Sequence, residues 1–267
     1  MKPAAGLQVR GLYQQFGGVQ ALVDLNFAIP PGQCVALIGP NGAGKSTCFA
    51  CLAGQQNPVA GQVLWQSQPL LGKTPVERQR LGVARTFQVA QTFEALTVLQ
   101  NIQLVLRGSP GLSWWGRLDT RQRTQAEQLL EQAGLTPLAD QTVADLPYGA
   151  KKRLELAMAL AGLPEAGRDT DTQRPQALLL LDEPAAGLAL PERSAMMALV
   201  RQVASLGVTV LYTEHNMDAV FGVADRVLVL MQGRLVADGT PEAVAQDPQV
   251  RERYLGADFS IAGAPHA

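Results

Sequence analysis

Charge is scarce in this 267-residue sequence: 17% of residues are Asp, Glu, Lys or Arg, where an average domain carries roughly 25%. Neither sign is in surplus, since 22 Lys and Arg face 23 Asp and Glu. Binding nucleic acid through its phosphates needs a basic excess, so no nucleic-acid partner is expected. A surface this poor in charge points to partial cover by a partner. Cysteine is also rare. The three Cys are odd in number and lack framework spacing, which excludes a disulfide scaffold and fits a reducing compartment. Long apolar runs are missing. The longest core-like ones, Ala177–Leu181 and Val227–Met231, fall far short of the about 20 residues that cross a bilayer. Met1–Arg10 has no apolar h-region, so secretion is not expected. What is present is ordinary core material, 47% apolar residues, in a chain long enough to fold without a staple.

Leu7-Gln8-Val9 alternates as a strand does, Phe16-Gly17-Gly18 reads as a turn, and Ala21–Ile29 as a second strand. Pro30-Pro31-Gly32 breaks the chain. Cys34–Ile38 is a continuous apolar run, the mark of a strand buried on both faces. A helix is expected from Lys45 to about Gly54. It contains Cys48 and Cys51, whose C-x-x-C spacing there means two small buried residues rather than a redox pair. Further helices are expected at Thr97–Arg107, Leu118–Ala133 and Gly149–Ala161. Trp114 and Trp115, between the first two, are either contact anchors or cover for their own subdomain. Residues 162–176, rich in Pro, Gly, Asp and Thr, read as a solvated surface loop. Then strand Ala177–Leu181, helix Pro191–Ser205, strand Val208–Thr213, helix Asn216–Phe221 and strand Arg226–Met231 alternate. This order implies a largely parallel sheet with helices on both faces.

Two motifs sit on that scaffold. Gly39-Pro40-Asn41-Gly42-Ala43-Gly44-Lys45-Ser46-Thr47 matches G-x-x-x-x-G-K-[ST], between a buried strand and a helix. The glycines let backbone N–H groups turn inward at phosphate oxygens, and the helix start adds its positive dipole end. Lys45 is expected to reach the β- and γ-phosphates and Ser46 to ligate Mg²⁺. Leu178-Leu179-Leu180-Leu181-Asp182-Glu183 puts two carboxylates at the end of a buried strand, where open α/β sheets bind ligands. Asp182 suits Mg²⁺, directly or through water, and Glu183 suits a general base acting on water.

With these elements in place, the sequence resembles the nucleotide-binding subunits of ABC transporters, from about Leu7 to Gly256. Phe16 stands where that family has an adenine-stacking aromatic, although an aromatic in a strand also packs as core. Arg85-Thr86-Phe87-Gln88 looks like its Q-loop. Leu146-Pro147-Tyr148-Gly149-Ala150 occupies the signature position, and Thr213-Glu214-His215-Asn216 looks like the switch-histidine segment. Ala84–Gln88, Leu96–Asn101, Asp182–Leu188 and Asp238-Gly239-Thr240-Pro241 are similar to the LivG-type ATPase of high-affinity branched-chain amino-acid importers. The resemblance implies one ABC ATPase domain with a P-loop NTPase (RecA-like) core, an N-terminal antiparallel β-subdomain and an inserted α-helical subdomain. Residues 1–85 and 177–256 would form the β-subdomain and core, 89–162 the helical signature subdomain, and 257–267 a tail. It also implies ATP and Mg²⁺ as ligands. Gln88 would contact Mg²⁺ and the attacking water, and His215, the one His outside the tail's His266, the γ-phosphate. The implied partners are a second ATPase subunit or a second copy, membrane permease subunits and, indirectly, a solute-binding protein, with the chain on the cytoplasmic membrane face.

The sequence departs from the family where it would face a partner's nucleotide. Pro147 replaces Ser in the signature, which removes a hydroxyl donor and a backbone N–H. A hydrogen bond to a charged group is worth roughly 1.5–3 kcal/mol, or about tenfold or more in rate. Ala150 stands where Gln is usual and Ala189 where Asp or Asn is usual. One reading is a heterodimer with two unequal sites; the other is neutral drift, since Pro is tolerated at a helix start. Three other functions remain open: an importer ATPase for urea or amides, a nucleotide-gated subunit with little hydrolysis, and a soluble ABC-type ATPase acting on DNA or the ribosome. The last would bring heptads or a second phosphate loop, and the sequence has neither.

Overall fold

A computed structural model describes residues 6–86, 92–107, 120–163, 177–256 and 259. The elements are β1 (Leu7–Phe16), β2 (Val19–Ile29), β3 (Cys34–Ile38), α1 (Lys45–Ala53), β4 (Ala60–Trp65), β5 (Gln68–Pro69), α2 (Pro75–Arg80) and β6 (Val83–Arg85). Then come α3 (Val98–Arg107), α4 (Thr120–Gln132), α5 (Tyr148–Ala161), β7 (Leu178–Asp182), α6 (Leu190–Ser205), β8 (Thr209–Thr213) and α7 (Met217–Phe221). β9 (Arg226–Met231), β10 (Arg234–Gly239), α8 (Pro241–Gln246) and two helical turns, Pro248–Val250 and Arg251–Leu255, complete the described chain.

Six strands form the central sheet in the order β10-β9-β3-β8-β7-β6. All neighbours are parallel except β10, which returns antiparallel on β9. Four strands form a separate antiparallel sheet, β2-β1-β4-β5. The period-2 geometry of the central strands divides their side chains between two cores. Cys34, Ala36 and Ile38 of β3, Leu179 and Leu181 of β7, and Val210 and Tyr212 of β8 enter the core shared with α3 to α8. Val35, Leu37, Leu178, Leu180 and Leu211 enter the other, with Phe49 and Leu52 of α1 and Leu12, Leu25 and Trp65 of the antiparallel sheet. The continuous apolar runs of the sequence are therefore strands with no solvent face.

Most boundaries lie within a residue or two of those read from sequence. Gly149–Ala161 begins one residue earlier, at Tyr148, and Pro147 is its N-cap at φ −56° and ψ 148°. Asn216 caps α7, accepting the Ala219 N–H at 2.9 Å. The sequence reading did not resolve β4, β5, α2, β6, β10 or α8. β6 is only three residues long, and β10 is half-exposed along its length, with no apolar run to mark it. Trp114, Trp115, His266 and residues 164–176 lie outside the described residues. Cys34, Cys48 and Cys51 are free and buried, and burial raises their thiols, Cys34 to about 12 and Cys51 to about 11.

The C-terminal end of α1 is closed by a cation from α2. Arg78, 1% exposed, donates from Nη1 to the carbonyls of Cys51 and Leu52 at 2.6 Å each, and from Nε to Lys73 O at 3.1 Å. A positive charge on the last carbonyls complements the helix dipole. Arg78→Met strands these carbonyls in the interior and is expected to lower the unfolding free energy by about 2–3 kcal/mol, read from equilibrium urea denaturation.

Candidate functional site

The parallel strands β3, β7 and β8 end at one edge of the central sheet, and the loops that follow them converge there. After β3, Gly39 adopts φ +147° and Gly44 φ +105°. A Cβ on Gly39 would meet Leu230 O at 2.0 Å, and one on Gly44 would meet Ala21 O at 2.4 Å. Only glycine fits between the end of β9 and the start of β2. Gly42, at φ +77°, has open space around it. Within the loop Ala43 N donates to Pro40 O at 3.2 Å, and Gly233 N donates to Ala43 O at 2.9 Å. Lys45 opens α1 and folds back over the loop. Its Nζ donates to Gly39 O at 2.6 Å and Pro40 O at 3.0 Å. Burial lowers the Lys45 pKa, while nearby Glu183 and Asp182 oppose that shift. Asn41 and Ser46 are exposed and Thr47 is half-buried. The first-turn N–H groups of α1 have no carbonyl partner of their own within the helix, which is the physical basis of anion binding at such a turn.

Asp182 and Glu183 follow from β7. The Asp182 Oδ2 pairs with Arg85 Nη2 at 2.7 Å, with both side chains about one-eighth exposed (13% and 12%). Its Oδ1 accepts the Thr213 hydroxyl at 2.8 Å. Arg85 also donates to Gln55 and lies 5.9 Å from the centre of the Phe49 ring. Glu183 has φ +50°, unusual for a residue with a Cβ. Its N–H reaches both Thr213 O at 3.2 Å and Thr213 Oγ1 at 3.0 Å. The Glu183 Oε1 is 2.9 Å from His215 Nε2, and the two side chains are 21% and 45% exposed, so solvent reaches the pair. Glu214 between them is buried. It accepts the N–H of Ala185 at 2.8 Å and of His215 at 3.2 Å, and that of Asn216 as well. Burial raises its pKa and the backbone donors act against this.

The structure thus brings together Lys45, Asp182, Glu183 and His215. Arg85, Thr213 and Glu214 are only letters within motifs in the sequence; the place of Thr213 at the end of a buried strand is the one available signal, and Arg85 and Glu214 have none. Tyr254, from the C-terminal helical turn, takes a hydrogen bond from the Gly39 backbone and was not anticipated. Gln88 lies outside the described residues. The hydroxyl of Ser46 and the carboxylate of Asp182 are oxygen donors suited to Mg²⁺. No group of three His, Cys, Asp or Glu forms a metal cage among the described residues.

Two predicted groups stand apart from this cluster. Phe16 ends β1 and is 48% exposed. Its hairpin partner β2 supplies the Ala21 carbonyl that abuts Gly44. The signature segment Leu146, Pro147, Tyr148, Gly149 and Ala150 begins α5, and among the described residues it makes no hydrogen bond to the phosphate loop. Ala150 is buried and Tyr148 half-exposed. A Cβ on Gly149 would lie 2.6 Å from Glu192 Oε1, and one on Gly187 would lie 3.3 Å from the Tyr148 ring. Neither Pro147, the N-cap of α5, nor Ala189, the N-cap of α6, supplies a side-chain cap.

Residues 22–186 match the ABC transporter family, and residues 234–260 match the branched-chain amino acid ATP-binding cassette transporter family. The chain is 38% identical to the high-affinity branched-chain amino acid transport ATP-binding protein LivG of Escherichia coli K12, over 94% of this chain and 97% of that one. It is 31% identical to the lipopolysaccharide export system ATP-binding protein LptB of Acidithiobacillus ferridurans, over 96% and 98%. The fold superposes on the ADP conformation of MJ1267, an ATP-binding cassette of an ABC transporter. There the TM-score is 0.80 at 28% identity, covering 94% of this chain and 98% of that one.

Glu214→Ala would leave the Ala185 and His215 N–H groups without their acceptor and release the segment that carries His215. A loss of about 2–3 kcal/mol in stability is expected, measured by urea unfolding of the nucleotide-free chain.

Proposed function

This chain belongs to the ABC transporter family, and from that premise we propose that it drives uptake of branched-chain amino acids, or a related small solute, by hydrolysing ATP. The observation that carries the reading is the 2.9 Å pair between Glu183 and His215, at the sheet edge that also carries Lys45. In this reading Lys45 leaves the loop carbonyls for the β- and γ-phosphates. Glu183 orients water for in-line attack and takes its proton, and His215 holds the γ-phosphate. The backbone of Gly39, Pro40, Asn41, Gly42, Ala43 and Gly44, with Ser46 and Thr47, cradles the phosphates. Phe16 stacks on the adenine. Mg²⁺, bound with the nucleotide, supplies neutralising charge at the phosphates and would be held by Ser46, Asp182 and Gln88.

As an ABC transporter ATP-binding subunit the chain works with membrane permease subunits and as a dimer. Among its described residues no helix is long and apolar enough to cross a membrane, so its place at the cytoplasmic membrane face would come from the permease. Import is the direction in keeping with the LivG likeness. Residues 89–162 would form the helical subdomain that offers the signature to a second subunit. We read that second subunit as a different ATPase. Pro147 and Ala189, which begin α5 and α6 without a polar side chain, subtract donors only from what this chain offers its partner's nucleotide, which makes the two sites unequal.

The test is ATP hydrolysis by the purified chain, alone and assembled with its companion and permease. Glu183→Gln is expected to lower turnover of the complex by roughly 10²–10⁴-fold while ATP still binds. Activity that survives Glu183→Gln would remove the role given to Glu183, and no activity in any mixture would remove the hydrolytic reading. Pro147→Ser is expected to raise the turnover of the assembled pair; an unchanged rate would overturn the unequal-site reading.

A further inference from the structure

Thr213 is buried at 1% exposure, in a strand otherwise composed of Thr209, Val210, Leu211 and Tyr212. Packing alone does not call for a hydroxyl there. Valine has nearly the same shape and suits a strand at least as well, and an unused hydroxyl is costly to bury. This one is used both as donor and as acceptor. Its hydrogen goes to Asp182 Oδ1 at 2.8 Å, and its oxygen receives the Glu183 N–H at 3.0 Å. In the register of β7 on β8, Asp182 lies directly opposite Thr213. In that of β3 on β8, Thr213 lies opposite Leu37, two residues before the phosphate loop begins.

We propose that Thr213 is a positioning residue whose single hydroxyl holds the Asp182 carboxylate and the Glu183 backbone in one frame. Arg85 on β6 takes the other Asp182 oxygen, so the carboxylate is fixed from both neighbouring strands. Glu183 is kept at φ +50°, a conformation that a residue with a Cβ resists, because Thr213 grips its N–H from the carbonyl and the hydroxyl together. The Glu183 side chain leaves that backbone toward His215. A change at Thr213 therefore shifts the metal-holding group and the water-orienting group at once. The proposal rests on the roles given above to Asp182 and Glu183.

Thr213→Val keeps the volume and deletes the hydroxyl, and Thr213→Ser keeps the hydroxyl and deletes the methyl. Two readouts are taken: Mg²⁺ titration of fluorescent ATP-analogue binding to the purified full chain, and kcat and KM for ATP in the assembled transporter. In the valine variant kcat is expected to fall about tenfold or more, with a several-fold higher Mg²⁺ half-saturation and a smaller change in KM. The serine variant is expected to restore both. Thr213→Ala gives the same readout if the valine variant misfolds. A wild-type Mg²⁺ titration in the hydroxyl-free variant overturns the proposal, as does equal impairment of the valine and serine variants, which would assign the effect to packing. Asp182→Asn and Glu183→Gln are measured alongside. If either leaves turnover and the Mg²⁺ response untouched, the reading of the site fails. If both act as proposed while Thr213→Val does not, the positioning role alone fails.

Discussion

The complete burial of β3, β7 and β8 on both faces is the constraint on which the rest of the structure depends. A strand with no solvent face cannot carry a charged group along its length, since burying one without partners is expensive. Polar residues are therefore pushed to the strand ends. Parallel pairing then sets those ends side by side. Leu37 and Asp182 both stand opposite Thr213 in the ladder, so the phosphate loop, the two carboxylates and the histidine segment emerge at one edge. The site is in this sense a by-product of how the core is built, and its chemistry comes from loops that can change while the strands stay apolar.

The same constraint explains how much could be read from the sequence. Runs such as Cys34–Ile38 and Leu178–Asp182 announce doubly buried strands, and the glycine spacing of the phosphate loop has steric reasons that need no structure. The three-residue strand β6 has no periodicity to detect, and it carries Arg85, so the ion pair with Asp182 was invisible too. Thr213 and Glu214 sit in a recognisable motif, yet their duties are not legible there because they depend on which strands are neighbours. Glu214 shows this best. Its role is to accept backbone donors from two separate loops, and nothing local in the sequence marks that. Pro147 is the opposite case: its effect on hydrogen-bonding capacity is plain from the residue itself, and the structure adds that it is the N-cap of α5.

The chain presents two surfaces of unequal construction. The residues around Lys45, Asp182 and His215 are tied by short polar contacts to one another, to loop backbone and to side chains at the strand ends, an arrangement that keeps groups in place before any ligand arrives. Among the described residues, 147–150 at the start of α5 have no such ties, and Lys151 reaches only Glu94 and the Ala144 carbonyl. Gly149 lies against Glu192 and Tyr148 against Gly187, contacts that join this helix start to the segment leading into α6. The two helix starts are therefore a linked pair, and displacement of one bears on the other.

The buried thiols give this layered construction an internal clock. Cys34 lies in the core on the helical side of the central sheet, and Cys48 and Cys51 in the core on the opposite side. Native burial holds all three as inert thiols. A thiol-reactive reagent can thus modify the protein only when one layer lifts from the sheet. Because the two layers carry different cysteines, the order of modification records which side of the molecule opens first, without the addition of any foreign probe.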